Sequence, residues 1–396
     1  MNKKNITDSI IYVGVDDKEL DLFENQYVTP NGITYNSYII LDEKIAIIDT
    51  VDERKTEEWM KNVEQVLGEK EPDYLIVSHM ESDHSDNIAK LAKKYPNMKI
   101  VGNVHTFKII SQFFELELGE RAVNVKEGDI LDLGNHKLHF IMAPMVHWPE
   151  VMMTYDETEK ILFSADGFGK FGTLNTKEEW TCEARRYYFA IIGKYGANVQ
   201  AVLKKVANLD IQKICPLHGP ILEENLEYYI NKYDIWSSYK PEDDGVLVAY
   251  ASIHGYTGKA AKKMAEILEE KGAKKVVVAD LARYDMAEAI EDAFRYDKII
   301  VAASTYNSEI FTWMKHFLDH LQGRNYQNRK VGIIENGSWA PNSGKLMKEM
   351  FMKMKDIQIC ETMVTIKSAM NKDNVYEMKK LADELLEKKI DIIQHA

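Results

Sequence analysis

Cysteine is scarce in this 396-residue chain, and its few occurrences lie far apart. The three residues, Cys182, Cys215 and Cys360, form no CxxC pair and no even-numbered framework. This scatter argues against a disulfide-stabilised secreted fold and favours a reducing compartment. We therefore expect a cytoplasmic protein in which the cysteines serve as small buried apolar side chains.

Long apolar runs are missing as well. No stretch approaches the roughly 18 residues that a membrane span needs, and the basic start of the chain leads into polar residues instead of an apolar signal segment. Positive charge is also in deficit, because 50 lysines and arginines face 63 aspartates and glutamates, a formal net charge of −13. Neither nucleic acid nor a membrane is therefore expected as the main partner.

The length of the chain, by contrast, is ample for two domains. Residues 237–245 (SSYKPEDDG) are polar and contain proline and glycine, which is typical of a linker. The part before it mixes strands and helices, and the part after it alternates them with little interruption. We predict one domain over residues 1–240 and a second over residues 246–396.

Several predicted strands of the first half are followed by side chains that can bind metal ions. The strands are predicted at 35–40, 45–49, 74–78, 99–102, 137–142, 161–165 and 212–215, with a helix at 54–67. The strand at 74–78 leads directly into His79-Met80-Glu81-Ser82-Asp83-His84, in which four of six residues are potential ligands. Ligands at successive strand ends predict an αββα sandwich with a metal site along one edge of its sheets.

The second half has the pattern of a doubly wound parallel sheet. The apolar, β-branched run 246–250 is of the buried parallel type, and a helix to about Glu270 follows the loop after it. Further strands are predicted at 275–279, 298–303 and 331–335, with helices between them. A ligand of such a sheet is expected at the carboxyl ends of the strands.

The residue types at the predicted metal site favour iron. Imidazoles and carboxylates suit a pair of iron, zinc or manganese ions. Zinc hydrolases of the β-lactamase-like sandwich typically show His-x-His-x-Asp-His, whereas the second position here is Glu81. Together with Asp83 and Asp166 it makes three carboxylates, a charge that suits two irons cycling between +2 and +3. A carboxylate such as Asp166 can also bridge the two ions.

Six residues carry a resemblance to a known family: His79, Glu81, Asp83, His147, Asp166 and His218. Followed by a flavodoxin-like half, this set resembles the flavodiiron proteins (A-type flavoproteins) over essentially the whole chain. The resemblance implies a metallo-β-lactamase-like diiron domain followed by a flavodoxin-like FMN-binding domain. It also implies that His79, Glu81 and His147 hold one iron, that Asp83 and His218 hold the other, and that Asp166 bridges them.

Three more residues are placed near the irons by the same resemblance. His84 matches the zinc-hydrolase pattern, but the equivalent histidine of flavodiiron proteins is often turned away from the metal, so we expect it beside the ligand set. Trp148 and Tyr195 match positions that line the family's diiron pocket. Both are interpreted equally well as aromatic residues of the core.

The second cofactor is predicted from three loops. Residues 252–257 (SIHGYT) are neither a Walker A motif nor GxGxxG, and they resemble the flavodoxin phosphate loop, although Tyr256 stands where asparagine is commoner. The resemblance implies that hydroxyls, backbone N–H groups and a helix N-terminus hold the FMN phosphate there without a cation. Loops 304–307 and 336–339 match those that hold the isoalloxazine ring, with Trp339 stacked on it and Tyr306 beside it. The predicted FMN-binding residues are Ser252, Ile253, His254, Gly255, Tyr256, Thr257, Ser304, Thr305, Tyr306, Asn307, Asn336, Gly337, Ser338 and Trp339.

The resemblance implies an oxidoreductase that reduces O2 to water, NO to N2O, or both, with the irons doing the bond chemistry and FMN relaying electrons. No rubredoxin-like or NADH-reductase module is visible in the sequence, so we expect an external electron donor, either rubredoxin or coenzyme F420. A head-to-tail homodimer, alone or as a dimer of dimers, is also implied. Both gases bind ferrous iron, so both substrates stay open.

Two other functions fit part of the pattern. A dizinc β-lactamase-like hydrolase fused to a flavodoxin domain would share the fold, but hydrolysis needs no flavin and Glu81 departs from the zinc pattern. A non-catalytic electron carrier or gas sensor would have a damaged ligand set, whereas all six ligands are present.

Overall fold

The computed structural model describes residues 4–177 and 179–387. The chain divides into two compact units, and the boundary between them follows Ser237.

The first unit contains short strands with helices between and after them. Its strands are β1 (Lys4–Asn5), β2 (Ile10–Tyr12), β3 (Val15–Asp17), β4 (Leu22–Phe23), β5 (Tyr27–Val28), β6 (Ile33–Tyr35), β7 (Tyr38–Ile40), β8 (Ala46–Ile48), β9 (Tyr74–Ile76), β10 (Lys99–Gly102), β11 (Ala122–Asn124), β12 (Ile130–Asp132), β13 (Lys137–Met142), β14 (Met152–Asp156), β15 (Ile161–Phe163) and β16 (Lys213–Cys215). Its helices are α1 (Thr56–Leu67), α2 (Ser82–Ser85), α3 (Ile88–Lys94), α4 (Val104–Phe113), α5 (Trp180–Tyr187), α6 (Gly196–Val206) and α7 (Leu226–Ser237).

Two sheets form the core of this unit. The seven-stranded sheet has the order β1-β2-β7-β8-β9-β10-β11 and changes from antiparallel to parallel pairing between β8 and β9. The five-stranded sheet, β12-β13-β14-β15-β16, is antiparallel except for its last pair. Apolar side chains of both sheets share one buried cluster, which includes Ile48, Ile76, Phe140 and Phe163. The predicted metallo-β-lactamase-like sandwich is confirmed.

Helix α1 shows why the local sequence folds as it does. Trp59, Val63 and Leu67 recur at four-residue spacing and are all buried, so one stripe of the helix packs on the core. The helix ends at Gly68, whose φ of +63° lies in the left-handed region that glycine adopts most readily. The helix predicted over 54–67 therefore exists, with a 3₁₀ turn over Glu53–Lys55 before it.

The second unit is built from longer strands. Its strands are β17 (Asp243–Ala251), β18 (Val276–Asp280), β19 (Tyr296–Tyr306), β20 (Glu309–Ile310), β21 (Arg329–Asn336) and β22 (Ile357–Ile366). Its helices are α8 (Tyr256–Glu270), α9 (Met286–Arg295), α10 (Thr312–Gly323), α11 (Ser343–Phe351) and α12 (Lys372–Leu386). The second predicted domain extends to residue 396, and its residues 388–396 lie outside the described residues.

The main sheet of the second unit has the strand order β18-β17-β19-β21-β22, and all its neighbours are parallel. The carboxyl ends of β17, β19 and β21 therefore lie side by side, which brings the three predicted loops to one edge of the sheet. The flavodoxin-like fold is confirmed. Within the described part of the chain, no helix combines the length and apolar content needed to cross a bilayer.

Candidate metal centre and flavin site

The segment that contains His79 is anchored by a buried aspartate. Asp49 directly follows β8 and is 1% exposed. Its carboxylate accepts hydrogen bonds from the backbone N–H of Ser78 at 2.7 Å and of His79 at 3.3 Å. The end of β9 is thereby held against the end of β8, which gives the histidine a defined starting direction.

The one-turn helix α2 turns Asp83 and His84 inward. The carbonyl of His84 accepts hydrogen bonds from the backbone N–H and the hydroxyl of Thr50, at 2.9 and 2.8 Å. Both Asp83 and His84 are buried. This turn directs the ring of His84 into the centre of the cluster, among the residues beside which we expected it.

One group of potential ligands consists of His79, Glu81, His147 and Asp166. The Nε2 atom of His147 lies 3.1 Å from Oε2 of Glu81 and 3.3 Å from Oδ2 of Asp166. The Nε2 atom of His79 lies 3.4 and 3.3 Å from the same two oxygens. Four side chains from three separate stretches of chain thus converge on one small volume.

A second group consists of Asp83, His84 and His218. The two Nε2 atoms are 3.1 Å apart, and they lie 3.5 and 3.3 Å from Oδ2 of Asp83. The Oδ1 atom of Asp166 is 3.3 Å from the His84 nitrogen and 3.7 Å from the His218 nitrogen. Asp166 therefore presents one carboxylate oxygen to each group, which is the geometry of a bridging ligand.

The arrangement of these donor atoms suits bound metal ions better than direct hydrogen bonds among the side chains. All four carboxylate oxygens of Asp83 and Asp166 are buried, and among the described residues they receive no hydrogen bond. A buried carboxylate that receives no hydrogen bond is destabilising unless a cation offsets its charge. Ligands at about 2.1 Å from a tetrahedral ion lie roughly 3.4 Å apart, and the spacings in both groups cluster around that value.

Two of the imidazoles are held in the tautomer that metal binding needs. The Nδ1 atom of His79 donates to Oε1 of Glu150 at 2.8 Å, and that of His218 donates to the carbonyl of Thr34 at 2.6 Å. Each Nε2 atom is then left with a lone pair directed into its group. Sequence reasoning missed Glu150 because it follows a proline in a loop and belongs to no motif.

The cluster strongly favours positive charge. Burial by itself would lower the pKa of His147, but Asp166 and Glu81 more than offset this and raise it to about 9. Burial would likewise raise the pKa of Asp166, yet the charges of His79 and neighbouring imidazoles hold it well below its ordinary value. The site therefore stabilises cations, either protons on the imidazoles or metal ions.

Aromatic rings that the sequence did not single out surround His218. Ring centroids of Phe23, Tyr187 and Tyr35 lie 5.4, 5.6 and 6.1 Å from that of His218. Tyr187 is fully buried, and burial followed by the charge of Asp166 raises the pKa of its phenol well above the ordinary value. Its hydroxyl therefore keeps its proton beside the cluster.

The two aromatic residues singled out in the sequence have different surroundings. Trp148 packs edge-to-face on His79 with ring centroids 5.3 Å apart, so it touches the first ligand group. Tyr195 is half-buried in the turn Gly193–Tyr195, with the Lys194 ammonium 5.8 Å from its ring centre. Its role as a pocket residue stays a prediction.

The three loops of the second unit enclose a cavity of about 630 Å³. Every residue predicted to bind FMN lines it except Gly255, and Ser308, Ala340 and Ser368 line it as well. Trp339 is 92% exposed and Tyr306 is 48% exposed, so the rings of both residues are accessible to a ligand. An open cavity with exposed rings and few charges suits a planar, polar cofactor.

The first loop has the backbone features of an anion site. Gly255 has a φ of +87°, and its N–H donates to Oγ of Ser252 at 3.0 Å. Helix α8 begins at the next residue and has no side-chain cap, so its first N–H groups are left for a ligand. The hydroxyls of Thr257 and Ser304 share a hydrogen bond of 2.8 Å, which ties the first loop to the second.

Two family models match the chain. One, described as the ODP family beta lactamase, covers residues 33–219, and the other, described as a flavodoxin domain, covers residues 247–389.

Two relatives are similar in sequence to this chain over most of its length. An anaerobic nitric oxide reductase flavorubredoxin of Aliivibrio fischeri is 31% identical over 348 residues, which are 85% of this chain and 70% of the relative. An uncharacterized protein of Methanocaldococcus jannaschii is 30% identical over 389 residues, 96% of this chain and 98% of that protein.

Solved structures match over both units. Rubredoxin oxygen:oxidoreductase of Desulfovibrio gigas has a TM-score of 0.90 and 25% sequence identity, and 97% of each chain is covered. The flavodiiron protein of Giardia intestinalis has a TM-score of 0.89 at 21% identity, with 97% of this chain and 96% of that chain covered, a likeness of fold. With its β-lactamase-like unit, its cluster of histidines and carboxylates and its flavodoxin-like unit, this chain belongs to the flavodiiron protein family.

Proposed function

We propose that this protein is an FMN- and diiron-dependent oxidoreductase that reduces O2 to water, NO to N2O, or both. The observation that carries the proposal is the position of Asp166, whose two oxygens face two adjoining ligand groups. Two cations held side by side suit the transfer of several electrons to a small diatomic molecule. Membership in the flavodiiron family supports the same reaction class.

In this proposal residues 1–240 form the diiron domain and residues 246–396 the FMN domain. The ligands are His79, Glu81 and His147 for one iron, Asp83, His84 and His218 for the other, and Asp166 as the bridge. This set adds His84 to the six ligands expected from the sequence. Three carboxylates among seven ligands favour iron over zinc, because hard oxygen donors suit an ion that must reach the +3 state.

The side chains around the irons fix geometry and hold protons. When bound, the iron pair would supply the redox chemistry on the gas, and the flavin would supply the electrons. Glu150 and Thr34 orient His79 and His218 through their Nδ1 atoms. Tyr187 packs against His218 and keeps its phenol proton, so it would serve as a proton-bearing group beside the iron pair.

The second unit would hold FMN by neutral groups. The N–H groups at the start of α8 and the hydroxyls of Ser252 and Thr257 form the phosphate cradle. Tyr306 and Trp339 flank the space for the isoalloxazine ring. The electron donor is external in this proposal. Rubredoxin is the first candidate because the Desulfovibrio gigas relative is named for it, and coenzyme F420 is the second. A head-to-tail homodimer or a dimer of dimers completes the proposal.

An anaerobic assay tests the reaction. Protein carrying iron and FMN is reduced with excess photoreduced donor, O2 or NO is added in separate runs, and initial rates of gas consumption are compared with the metal content. Two irons and one FMN per chain with rapid consumption of at least one gas are expected. Zinc as the main metal with no gas consumption would overturn the proposal and favour the hydrolase.

Matched histidine variants connect the reaction to the site. His79→Ala should lose iron and gas consumption together, because it removes a buried ligand. His139→Ala serves as the control, since His139 lies on β13 and pairs with Glu157 on the surface. Equal losses in both variants would show that the assay reports folding and not the metal centre.

A further inference from the structure

Tyrosine and tryptophan rings extend from the metal centre of the first unit. The hydroxyl of Tyr233 accepts a hydrogen bond from the backbone N–H of Phe168 at 2.6 Å, two residues beyond Asp166. The rings of Phe168 and Tyr233 are stacked with centroids 4.2 Å apart. A short route of covalent bonds and one hydrogen bond thus connects the bridging carboxylate to Tyr233.

Three further rings continue from Tyr233 in contact with one another. Trp236 lies 5.5 Å from Tyr233, Trp180 lies 5.8 Å from Trp236 in a nearly parallel stack, and Tyr229 lies 4.7 Å from Trp180. Tyr233 and Trp236 are each 1% exposed, Trp180 is 8% exposed, and Tyr229 is partly exposed. We name Tyr233, Trp236, Trp180 and Tyr229 the aromatic path.

Packing alone does not explain why the residues of the aromatic path are tyrosine and tryptophan. A buried cluster needs only volume, which phenylalanine or leucine supplies. Every member of the aromatic path is tyrosine or tryptophan, the aromatic side chains that lose one electron most easily. Electron tunnelling weakens exponentially with distance, so rings in contact pass a charge much faster than one jump of the same total length.

We propose that the aromatic path delivers single electrons to the metal centre when the supply from the flavin is exhausted, which protects the ligands from oxidation. The inference rests on the proposed function with O2 as the substrate. It assigns a protective activity to the interior of the β-lactamase-like unit, apart from gas reduction itself.

One O2 takes four electrons and four protons to become two water molecules, and an iron pair without reduced flavin supplies only two of the electrons. In each step Tyr233 gives one electron to the metal centre and releases its phenol proton. Trp236 then reduces the tyrosyl radical, and the phenol takes up a proton again. The deficit passes through Trp180 to Tyr229, where two thiol molecules from solution become one disulfide and release the two missing electrons and two of the protons. The other two protons come from the solvent.

Electron-starved oxidation tests the path. Protein carrying iron and FMN is reduced with two electron equivalents per chain instead of four, mixed with excess O2, and analysed by EPR and by peptide mass spectrometry. The expected result is an organic radical signal and oxidised products at Trp180 and Tyr229, both suppressed by added thiol. In Trp236→Phe the products at Trp180 and Tyr229 should be lost and oxidation should accumulate at Tyr233.

The controls separate a path from general damage. Trp59→Phe replaces a tryptophan that is equally buried on α1 and should leave the product pattern unchanged. Trp180→Phe is the second path variant should Trp236→Phe fold poorly, as judged by thermal melting, and it should lose the products at Tyr229.

Two outcomes overturn the inference. Oxidation that follows surface exposure alone, or that is the same with and without Trp236, rejects the path while leaving the proposed function in place. If fully reduced protein consumes no O2, the O2 form of the proposed function fails and the path falls with it.

Discussion

The metal centre of the first unit and the flavin cavity of the second are both built at the carboxyl ends of β-strands, but they hold ligands by different means. Six of the seven candidate metal ligands are buried, and they concentrate charge in a small volume. The flavin cavity is open, and hydroxyls, amide groups and exposed rings line it. A buried, charged site depends on each member, whereas an open, neutral site distributes binding over many weak contacts.

The largest effect is expected from Asp166→Asn. Asparagine offers one neutral oxygen where the carboxylate presents a charged oxygen to each ligand group. We expect the variant to lose most of both irons and to keep its FMN, as measured by elemental analysis and flavin absorbance. Asp210→Asn, on the surface beside Lys160, is the control. Two irons per chain in Asp166→Asn would show that the bridge is dispensable.

A second, smaller effect is expected from Glu150→Gln. The carboxylate accepts hydrogen bonds from His79 Nδ1 and from the backbone N–H of Met80, at 2.8 and 2.9 Å, without belonging to either ligand group. Loss of such a support typically weakens metal binding roughly 10–100-fold. Competition with a metal chelator measures the change. Unchanged iron affinity would mean that the imidazole is oriented by packing alone.

The flavin cavity should tolerate the loss of a single contact better. Thr257→Val removes a hydroxyl that bonds Ser304 and lines the cavity. One hydrogen bond contributes about 1 kcal/mol, so the FMN dissociation constant should rise about fivefold. Thr257→Ser should restore most of the affinity in a fluorescence titration. Complete loss of FMN in Thr257→Val would contradict the picture of distributed binding.

The smallest effect is expected at His136, Asp156 and Ser9. This cluster contains histidine and aspartate, as the metal centre does, but belongs to neither ligand group. Both ring nitrogens of His136 are engaged, Nδ1 by Asp156 at 2.7 Å and Nε2 by Ser9 at 2.9 Å, so no lone pair is left for a metal. Burial would lower the pKa of His136, but Asp156 more than offsets it and the pKa is raised. Histidine and aspartate together are therefore not sufficient to make a metal site.

The pH dependence of this cluster has a definite sign. Because the folded pKa is raised, the stabilisation is complete below the ordinary pKa near 6.5 and is lost as the pH rises through the folded value. His136→Gln should lower the free energy of unfolding by roughly 1 kcal/mol at low pH, and the two melting curves should converge at high pH. A difference that grows with pH would refute the assignment.

Much of both sites could be predicted because chemistry-bearing residues follow apolar runs. His79, Asp166 and His218 each come just after a strand, and parallel or neighbouring strands bring such ends together. The inward turn of His84 could not be predicted, since it depends on α2 and on Thr50 from another segment. Tyr187 and Glu150 were missed because nothing in their local sequence reports a contact that closes only in the folded chain.

Prediction from the sequence also failed at one edge of the sheet in the second unit. Strand β22 was not predicted, because Gln358, Glu361 and Thr362 interrupt its apolar residues on an edge strand. Ser368, which follows it, was therefore missed as a wall of the flavin cavity. Its carbonyl accepts from Nδ2 of Asn336 at 2.9 Å, a pairing between loops that only the strand order creates.

The amino-acid sequence by itself determined the two folds, the order of the domains and the residue types at each strand end, because periodicity and local chemistry act over a few neighbouring residues. Only the tertiary structure decided that Asp166 faces both ligand groups, that His84 joins the second, and that tyrosine and tryptophan rings extend from the centre. These features join residues far apart in the chain, and their distances are set when the sheets and helices pack.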